Sequence, residues 1–493
     1  MPDDPRTAAA SPRVAGLHPL DPAALLAIYG EARVAPPALV TADRFAARRE
    51  RLRALCGDDA VIIVPGAAMV GRNSDVEYDF RQGSDFLYLT GFDEPDALAV
   101  LRGGEGPGLV LFVRPRDPAA ETWTGRRAGL EGAKERFGAD AAFDIAELGK
   151  HLPALLEGAG TVYWTLGQHT ALDAEVIRAA QQHWRAPRGN ARGPDCIVDL
   201  RAVLHEVRLR KSEEEIVALR AAGRLSAEGH HEAMRVAGPG VWEYQVQAAM
   251  ELVFRLGGSP RNGYPSIVAG GDNATILHYN TNRMRIPEGG LVLVDAGAEI
   301  GYHTADITRT FPASGRFSAA QRAVYDVVLA AEIAAIDVTR PGEPYQRAHD
   351  VALRVLTEGL VDLGVLQGSV DGLIEQQAYK PYFMHRTGHW LGMDVHDVGL
   401  YSADGQPRPL EPGMVTTVEP GLYFPIDDEG IAAELRGIGI RIEDDVLVTE
   451  DGYDVLTEDC VKDPDAVEAM CGEAPRWVRI LDAGSPRSSL DPG

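Results

Sequence analysis

The chain has 493 residues, 45% of them apolar, which is enough for two or three domains with real cores. Its formal charge of −25 argues against a nucleic-acid backbone or an anionic membrane surface as partner, because both select clustered Lys and Arg. Four scattered cysteines (Cys56, Cys196, Cys460 and Cys471) form no CxxC pair, so neither a thiolate metal site nor a disulfide framework is expected, and no apolar run is long enough to span a membrane.

Residues 1–40 are rich in Ala and Pro and are expected to form a flexible N-terminal arm, with a short helix near Pro22–Arg33. The opening MPDDPRTAAASPRVAG lacks the apolar core of a secretory signal, and with reduced thiols this points to a cytoplasmic protein. From residue 41 helix and strand patterns alternate. Phe45–Cys56 is amphipathic, and Ala60–Val64, Leu98–Leu101, Leu109–Val113 and Val162–Leu166 read as strands, with a helical stretch over Ala142–Leu156. The pattern predicts an α/β domain over 41–205.

A second unit is expected over 206–465. Ser212 and Glu215 make a capping box ahead of a periodic helix, and a second helix over Tyr244–Leu256 stops at Gly257-Gly258. Beyond residue 265 β runs dominate, interrupted by helices at Ala319–Thr339 and Tyr345–Leu363, which predicts an α+β domain. Residues 466–493 are expected to be a C-terminal tail.

The chemistry concentrates in LVLVDAGAEIGYHTADITRTF. Asp295 ends one β run and Asp306 opens another eleven residues later, with Gly297 and Gly301 between them, so two carboxylates can converge across a hairpin. GHWLGMDVHDVG then supplies His389, VTTVEPGLY supplies Glu419 and IGIRIEDDVLV supplies Glu443. One Asp pair alone would be unremarkable at a turn. Carboxylates that terminate or interrupt apolar β runs are costly unless matched, and the set makes an oxygen-rich cage suited to two divalent metals. Mn²⁺, Mg²⁺ or Co²⁺ fit it, and Zn²⁺ less well. Two metals sharing a water can activate it as a nucleophile for a carbonyl carbon. The first half of this domain contributes two Asp and the second two Glu, a hint of pseudo-twofold symmetry.

No GxSxG elbow is present. His278, His385 and His396 adjoin the candidate ligands and could donate hydrogen bonds to a developing oxyanion. His303 and His349 lack that context and are expected at the surface. Arg441, two residues before Glu443 on a strand, can share its face and orient it.

Together the HxxxH…HDVG segment, VEPGLY and GIGIRIEDD, after the Asp pair, resemble the metallopeptidases with the pita-bread (creatinase/methionine aminopeptidase-like) fold. YDFRQGSDFLYLTGFDEPDA and TWTGRRAG narrow the resemblance to the Xaa-Pro aminopeptidases (aminopeptidase P), over roughly residues 40 to 460. It implies an α/β N-terminal domain ahead of an α+β pita-bread catalytic domain, and two divalent metals, Mn²⁺ first. Asp295 would ligate one metal, Asp306 and Glu443 would bridge both, and His389 and Glu419 would complete the other. Glu419 would also act as general acid/base. His278 and His396 would hold the scissile carbonyl, while His385 and Arg441 would line the proline side with Tyr423 nearby. Trp123 looks like an aromatic reaching across from a neighbouring subunit, and Asp75 like an N-domain acid of the substrate pocket. The implied assembly is a homodimer or homotetramer, and the implied substrates are peptides with proline second. The loop Ser402–Pro409 departs from the family pattern, and Arg408 is its candidate for a basic substrate contact.

Prolidase, restricted to Xaa-Pro dipeptides, shares fold and metals. The SDFLYLTGF segment and the short gap from His389 to Glu419 resemble aminopeptidase P more. Creatinase-like chemistry or an inactive binding scaffold would require a degraded ligand set, and all five residues are present. Methionine aminopeptidases usually lack the large N-terminal domain.

Overall fold

The computed structural model describes residues 42–103, 108–184 and 193–476. The expected arm and its Pro22–Arg33 helix lie outside them, as does the chain beyond Arg476.

The first unit is built on a six-stranded sheet in the order Ala141–Asp144, Leu109–Val113, Leu98–Arg102, Ala60–Pro65, Thr161–Tyr163, Cys196–Val198. Strand alternation divides its two cores. Ile62, Val64, Ala99, Leu101, Leu109 and Leu111 face one core, whereas Val61, Ile63, Leu98, Val100, Val110 and Phe112 face the other. Helices cover both faces, and the central strands Ala60–Pro65, Leu98–Arg102 and Leu109–Val113 are therefore almost wholly apolar. Two elements differ from expectation. Ala141–Asp144 pairs with Leu109–Val113 as a strand, and the helix of this stretch is Leu148–Leu155. The strand at Val162 ends at Tyr163, after which Trp164 turns inward to bond Asp173 through Nε1 at 2.7 Å.

The expected boundary at 205 falls inside the helix Arg201–Leu209, whose Leu204 and Val207 complete the N-terminal core. Both domains meet on this helix. Arg208 donates to Asp85 at 2.6 Å in the first unit, and to Asp397 at 2.7 Å and Asp394 at 3.0 Å in the second, while Lys211 Nζ reaches Asp397 at 2.9 Å. Burial opposes ionisation of Asp397, yet Lys211 and Arg208 hold its pKa down at about 2. Asp397→Ala would leave the buried Lys211 ammonium without a carboxylate and take one of three from Arg208, at a cost of about 3 kcal/mol. The folded pKa lies below the unfolded one, so this contribution is present above about pH 4 and fades as pH falls toward 2. Thermal melts of wild type and variant should therefore differ at pH 7 and converge in acid. A constant gap down to pH 2.5 would contradict the assignment.

In the second unit the helices Glu213–Val236 and Glu243–Leu256 pack over the antiparallel sheet Ile267–Gly270, Leu291–Asp295, Thr308–Pro312. Ser212 N–H donates to Glu215 at 3.0 Å, closing the predicted capping box. The helices Ala319–Asp337 and Gln346–Asp362 pack over Gly421–Tyr423 and Gly439–Arg441, next to the sheet Val415–Val418, Asp444–Val448, Tyr453–Val455. A backbone bridge between Thr308 and Glu443 stitches the two halves together. The helix Pro464–Cys471 crosses the boundary expected at 465 and packs Val467 into the core, so the packed chain runs past it. Among the described residues no helix is long and apolar enough to cross a membrane. All four cysteines are free.

Candidate active site

A cleft of about 1070 Å³ lies where the two halves of the second unit meet, and Asp295, Asp306, His389, Glu419 and Glu443 all line it. Local backbone demands bring them there. Gly297 sits in the turn between the two Asp strands, where a Cβ would fall 1.8 Å from the Ala305 carbonyl oxygen, so only glycine lets the arms close. At Gly388 a Cβ would fall 2.1 Å from Thr417 O, and this close approach carries His389 to Glu419. His389 N–H donates to Thr417 Oγ1 at 3.1 Å and Glu419 N–H to Thr387 O at 2.8 Å, pinning the segments together.

Oxygens and nitrogens of Asp306, His389 and Glu443 lie within 4.8 Å of one another. Tyr264 Oη stands 2.6 Å from Asp295 Oδ1 and 2.5 Å from Asp306 Oδ1, so two carboxylates share one hydroxyl proton. His389 Nδ1 faces the Trp390 carbonyl at 3.1 Å, which can only accept, so Nδ1 carries a proton. Nε2 then points at Asp306 Oδ2 (3.3 Å) and Glu419 Oε1 (3.7 Å). A neutral imidazole would aim a lone pair at two carboxylates there, and only a positive charge satisfies that arrangement. The titration pattern agrees. Burial alone would push His389 down, but Asp306 and Glu419 hold it up at about 9. Burial, then Asp306 and Asp295, raise Glu419 to about 7 against His389 and Arg441. Burial with Asp306 and Glu419 raises Glu443 well above the usual carboxylate range. Carboxylate oxygens that converge with an imidazole nitrogen aimed at them make an oxygen-rich donor set that fits divalent metal.

Arg441 does not touch Glu443 as expected. Nη2 holds Asp295 Oδ2 at 2.5 Å, while Nε donates to Thr308 Oγ1 at 3.0 Å, and Thr308 in turn donates to Glu443 Oε2 at 2.5 Å. Both side chains thus face the cleft, and Thr308 relays the contact between them. Tyr423 is fully buried behind the cleft wall. It accepts from Arg441 Nη1 at 3.0 Å and donates to His385 Nε2 at 2.9 Å, while His385 Nδ1–H donates to Arg386 O at 2.7 Å. Burial, then Arg441, lower His385 to about 4, leaving a neutral ring with a defined tautomer.

His278 and His396 line the cleft with exposed rings, His396 standing edge-on to His389 at 4.4 Å. Trp123 (88% exposed) and Asp75, in the turn of the Gly71–Glu77 hairpin, lie on the N-terminal unit and are absent from the cleft wall. Two histidines expected at the surface are elsewhere. His303 is buried against Glu215, and His349 lines the cleft with Nδ1 2.9 Å from Thr387 Oγ1. Arg408 is buried and forked onto Glu206 at 2.7 and 2.6 Å, which leaves it no substrate role.

Three participants escaped the sequence reading. Tyr264 and Thr308 carry no spacing signal. Asp445, whose carboxylate accepts from Asp306 N–H at 3.0 Å, was discoverable from the EDD run, because strand period two carries Glu443 and Asp445 to one side.

Residues 217–450 match the model of metallopeptidase family M24, and residues 45–163 that of the aminopeptidase P N-terminal domain. The chain is 43% identical to the Xaa-Pro aminopeptidase of Escherichia coli strain K12, over 87% of this chain and 98% of that one. It is 35% identical to mouse Xaa-Pro aminopeptidase 3, over 87% and 85%. An aminopeptidase structure from Pseudomonas aeruginosa superposes with a TM-score of 0.86 at 47% identity, covering 88% of this chain and 98% of the other. Zinc-substituted E. coli aminopeptidase P, solved in complex with product, gives 0.85 at 42%, covering 88% and 99%.

Proposed function

The chain belongs to metallopeptidase family M24 and carries an aminopeptidase P N-terminal domain; on that premise we propose how it works as a metal-dependent Xaa-Pro aminopeptidase. It has the pita-bread fold and removes the residue that precedes proline at the N-terminus of a peptide. The carrying observation is the lone-pair direction of His389 Nε2 into converging carboxylates.

Asp295 would hold one of two divalent cations, Mn²⁺ first. Asp306, His389, Glu419 and Glu443 would supply the remaining ligands. Bound there, the ions would polarise the scissile carbonyl and acidify a shared water. Glu419 would take the attacking water's proton and deliver it to the proline nitrogen, a relay for which its carboxylate is placed at the cleft floor beside His389 and His385. His278 and His396 would donate to the carbonyl oxygen as charge develops on it. The pyrrolidine would rest against His385, whose ring Tyr423 and Arg441 hold in place. An Xaa-Pro bond has no N–H and a restricted φ, so a site that cups the ring turns a missing donor into selectivity.

Trp123, 88% exposed near the end of a short helix on the N-terminal unit, would reach into the cleft of another copy in a homodimer or homotetramer. Asp75, also exposed, would serve the same neighbouring cleft. Trp123→Ala should lower activity several-fold on longer peptides, and wild-type kinetics in a confirmed oligomer would remove that role. Four unpaired thiols suit a cytoplasmic setting.

The test is release of the first residue from matched Xaa-Pro and Xaa-Pro-Yaa peptides by Mn²⁺-loaded protein, with a chelator control. Metal-dependent cleavage of the tripeptide is expected. Cleavage of the dipeptide alone would make the protein a prolidase.

A further inference from the structure

Immediately after His385 on the proline side of the cleft, the chain places Arg386. Its side chain is exposed and borders two spaces at once. One is the central cleft, and the other a neighbouring hollow of about 450 Å³ that shares Gln346, His349, His385 and Arg386 with it. Arg386 Nη1 donates to the neutral Gln346 Oε1 at 2.7 Å and, among the described residues, has no carboxylate in ion-pair contact. Nearby cations contrast with it: Arg441 holds Asp295, and Arg408 holds Glu206. The hollow's own carboxylate, Asp350, accepts from Gln346 Nε2 at 3.0 Å, so Gln346 stands between acid and guanidinium and keeps the fork oriented. Lys380, exposed on the hollow's wall, has no ion-pair partner among the described residues either. The charge reaches the cleft: after burial, Arg386 is what lowers the pKa of His349.

A peptide lying with its N-terminal ammonium toward the acidic floor and its proline against His385 must continue past Arg386 toward the hollow. The cleft thus runs from carboxylates to unpaired cations, opposite in sense to the ends of a short peptide. We propose that Arg386 is a specificity residue that binds a carboxylate just beyond the proline, with the adjoining hollow receiving the leaving peptide. The inference rests on the aminopeptidase reading of the cleft. Two sources carry this chemistry, the C-terminal carboxylate of a tripeptide and an Asp or Glu side chain at the third position. A planar fork takes either through paired hydrogen bonds.

Three substrates separate them: Ala-Pro-Gln-amide, Ala-Pro-Gln with a free C-terminus, and Ala-Pro-Glu-amide. The metal-loaded wild type should favour at least one acidic peptide over the neutral amide by about three- to ten-fold in kcat/KM, chiefly through KM, as expected for a partly exposed charge pair. The preferred peptide identifies the source. Arg386→Gln should bring the ratio to about one, Arg386→Lys should retain part of it, and added salt should shrink it in the wild type. Measurable turnover with a wild-type ratio of one, or a ratio unchanged in Arg386→Gln, would overturn the subsite and leave the aminopeptidase intact. No turnover of any of the three would refute the aminopeptidase reading, and the subsite with it.

Discussion

Glu419→Ala should reduce turnover of an Xaa-Pro-Yaa peptide by at least about 10²–10⁴-fold, because one side chain is asked to do two things. Its carboxylate faces His389 Nε2 at 3.7 Å and His385 Nδ1 at 3.8 Å, at the centre of the converging donors. Removing it deletes a donor oxygen and the group that relays a proton to the proline nitrogen. Glu419→Gln separates the two roles, since the amide keeps an oxygen at the site but cannot accept the proton. It should remain nearly inactive while still binding metal by titration calorimetry. A Gln variant with near-normal kcat would show that the proton travels by another route.

Stripping metal should abolish activity and lower the melting temperature, with the size of the shift depending on pH. Ligand at 100–1000 times its dissociation constant stabilises by about 3–4 kcal/mol, roughly 5–15 °C for a domain of this size. Burial raises Asp306, Glu419 and Glu443 above their ordinary values in the metal-free fold. A folded state that binds more protons than the unfolded one loses stability as pH rises from the unfolded pKa, near 4, through the folded one, about 7 for Glu419. Bound metal replaces those protons and favours the ionised ligands. The gap between loaded and chelated melts should therefore widen from pH 5 to pH 7.5. A gap that is absent or narrows over that range would mean that these carboxylates do not hold the ion.

Asp295, Asp306 and Glu419 were legible because each terminates or interrupts an apolar β run, and His389 and Glu443 through the motifs that surround them. A carboxylate in such a place is expensive unless something compensates it. The helix starting after Ser212 and the Leu291–Asp295 strand were legible for a similar reason, since caps and periodicity are local signals. Local signals failed where long-range pairing decided the outcome. Ala141–Asp144 is a strand because Leu109–Val113 offers it an edge, and Arg201–Leu209 belongs to the N-terminal core because Leu204 and Val207 find their neighbours there.

The sequence by itself determined which chemistry this protein carries, through the identity and order of Asp295, Asp306, His389, Glu419 and Glu443. The tertiary structure alone decided how those groups are held. Tyr264 bridges Asp295 and Asp306, Thr308 links Arg441 to Glu443, and Asp445 holds the Asp306 amide across 139 positions of chain. It also withdrew Arg408 from the substrate by pairing it with Glu206, and left Arg386 facing the cleft with no carboxylate partner among the described residues. A side chain's chemistry is written in its residue type, but its partner is set by which distant segments the folded backbone brings within hydrogen-bond reach.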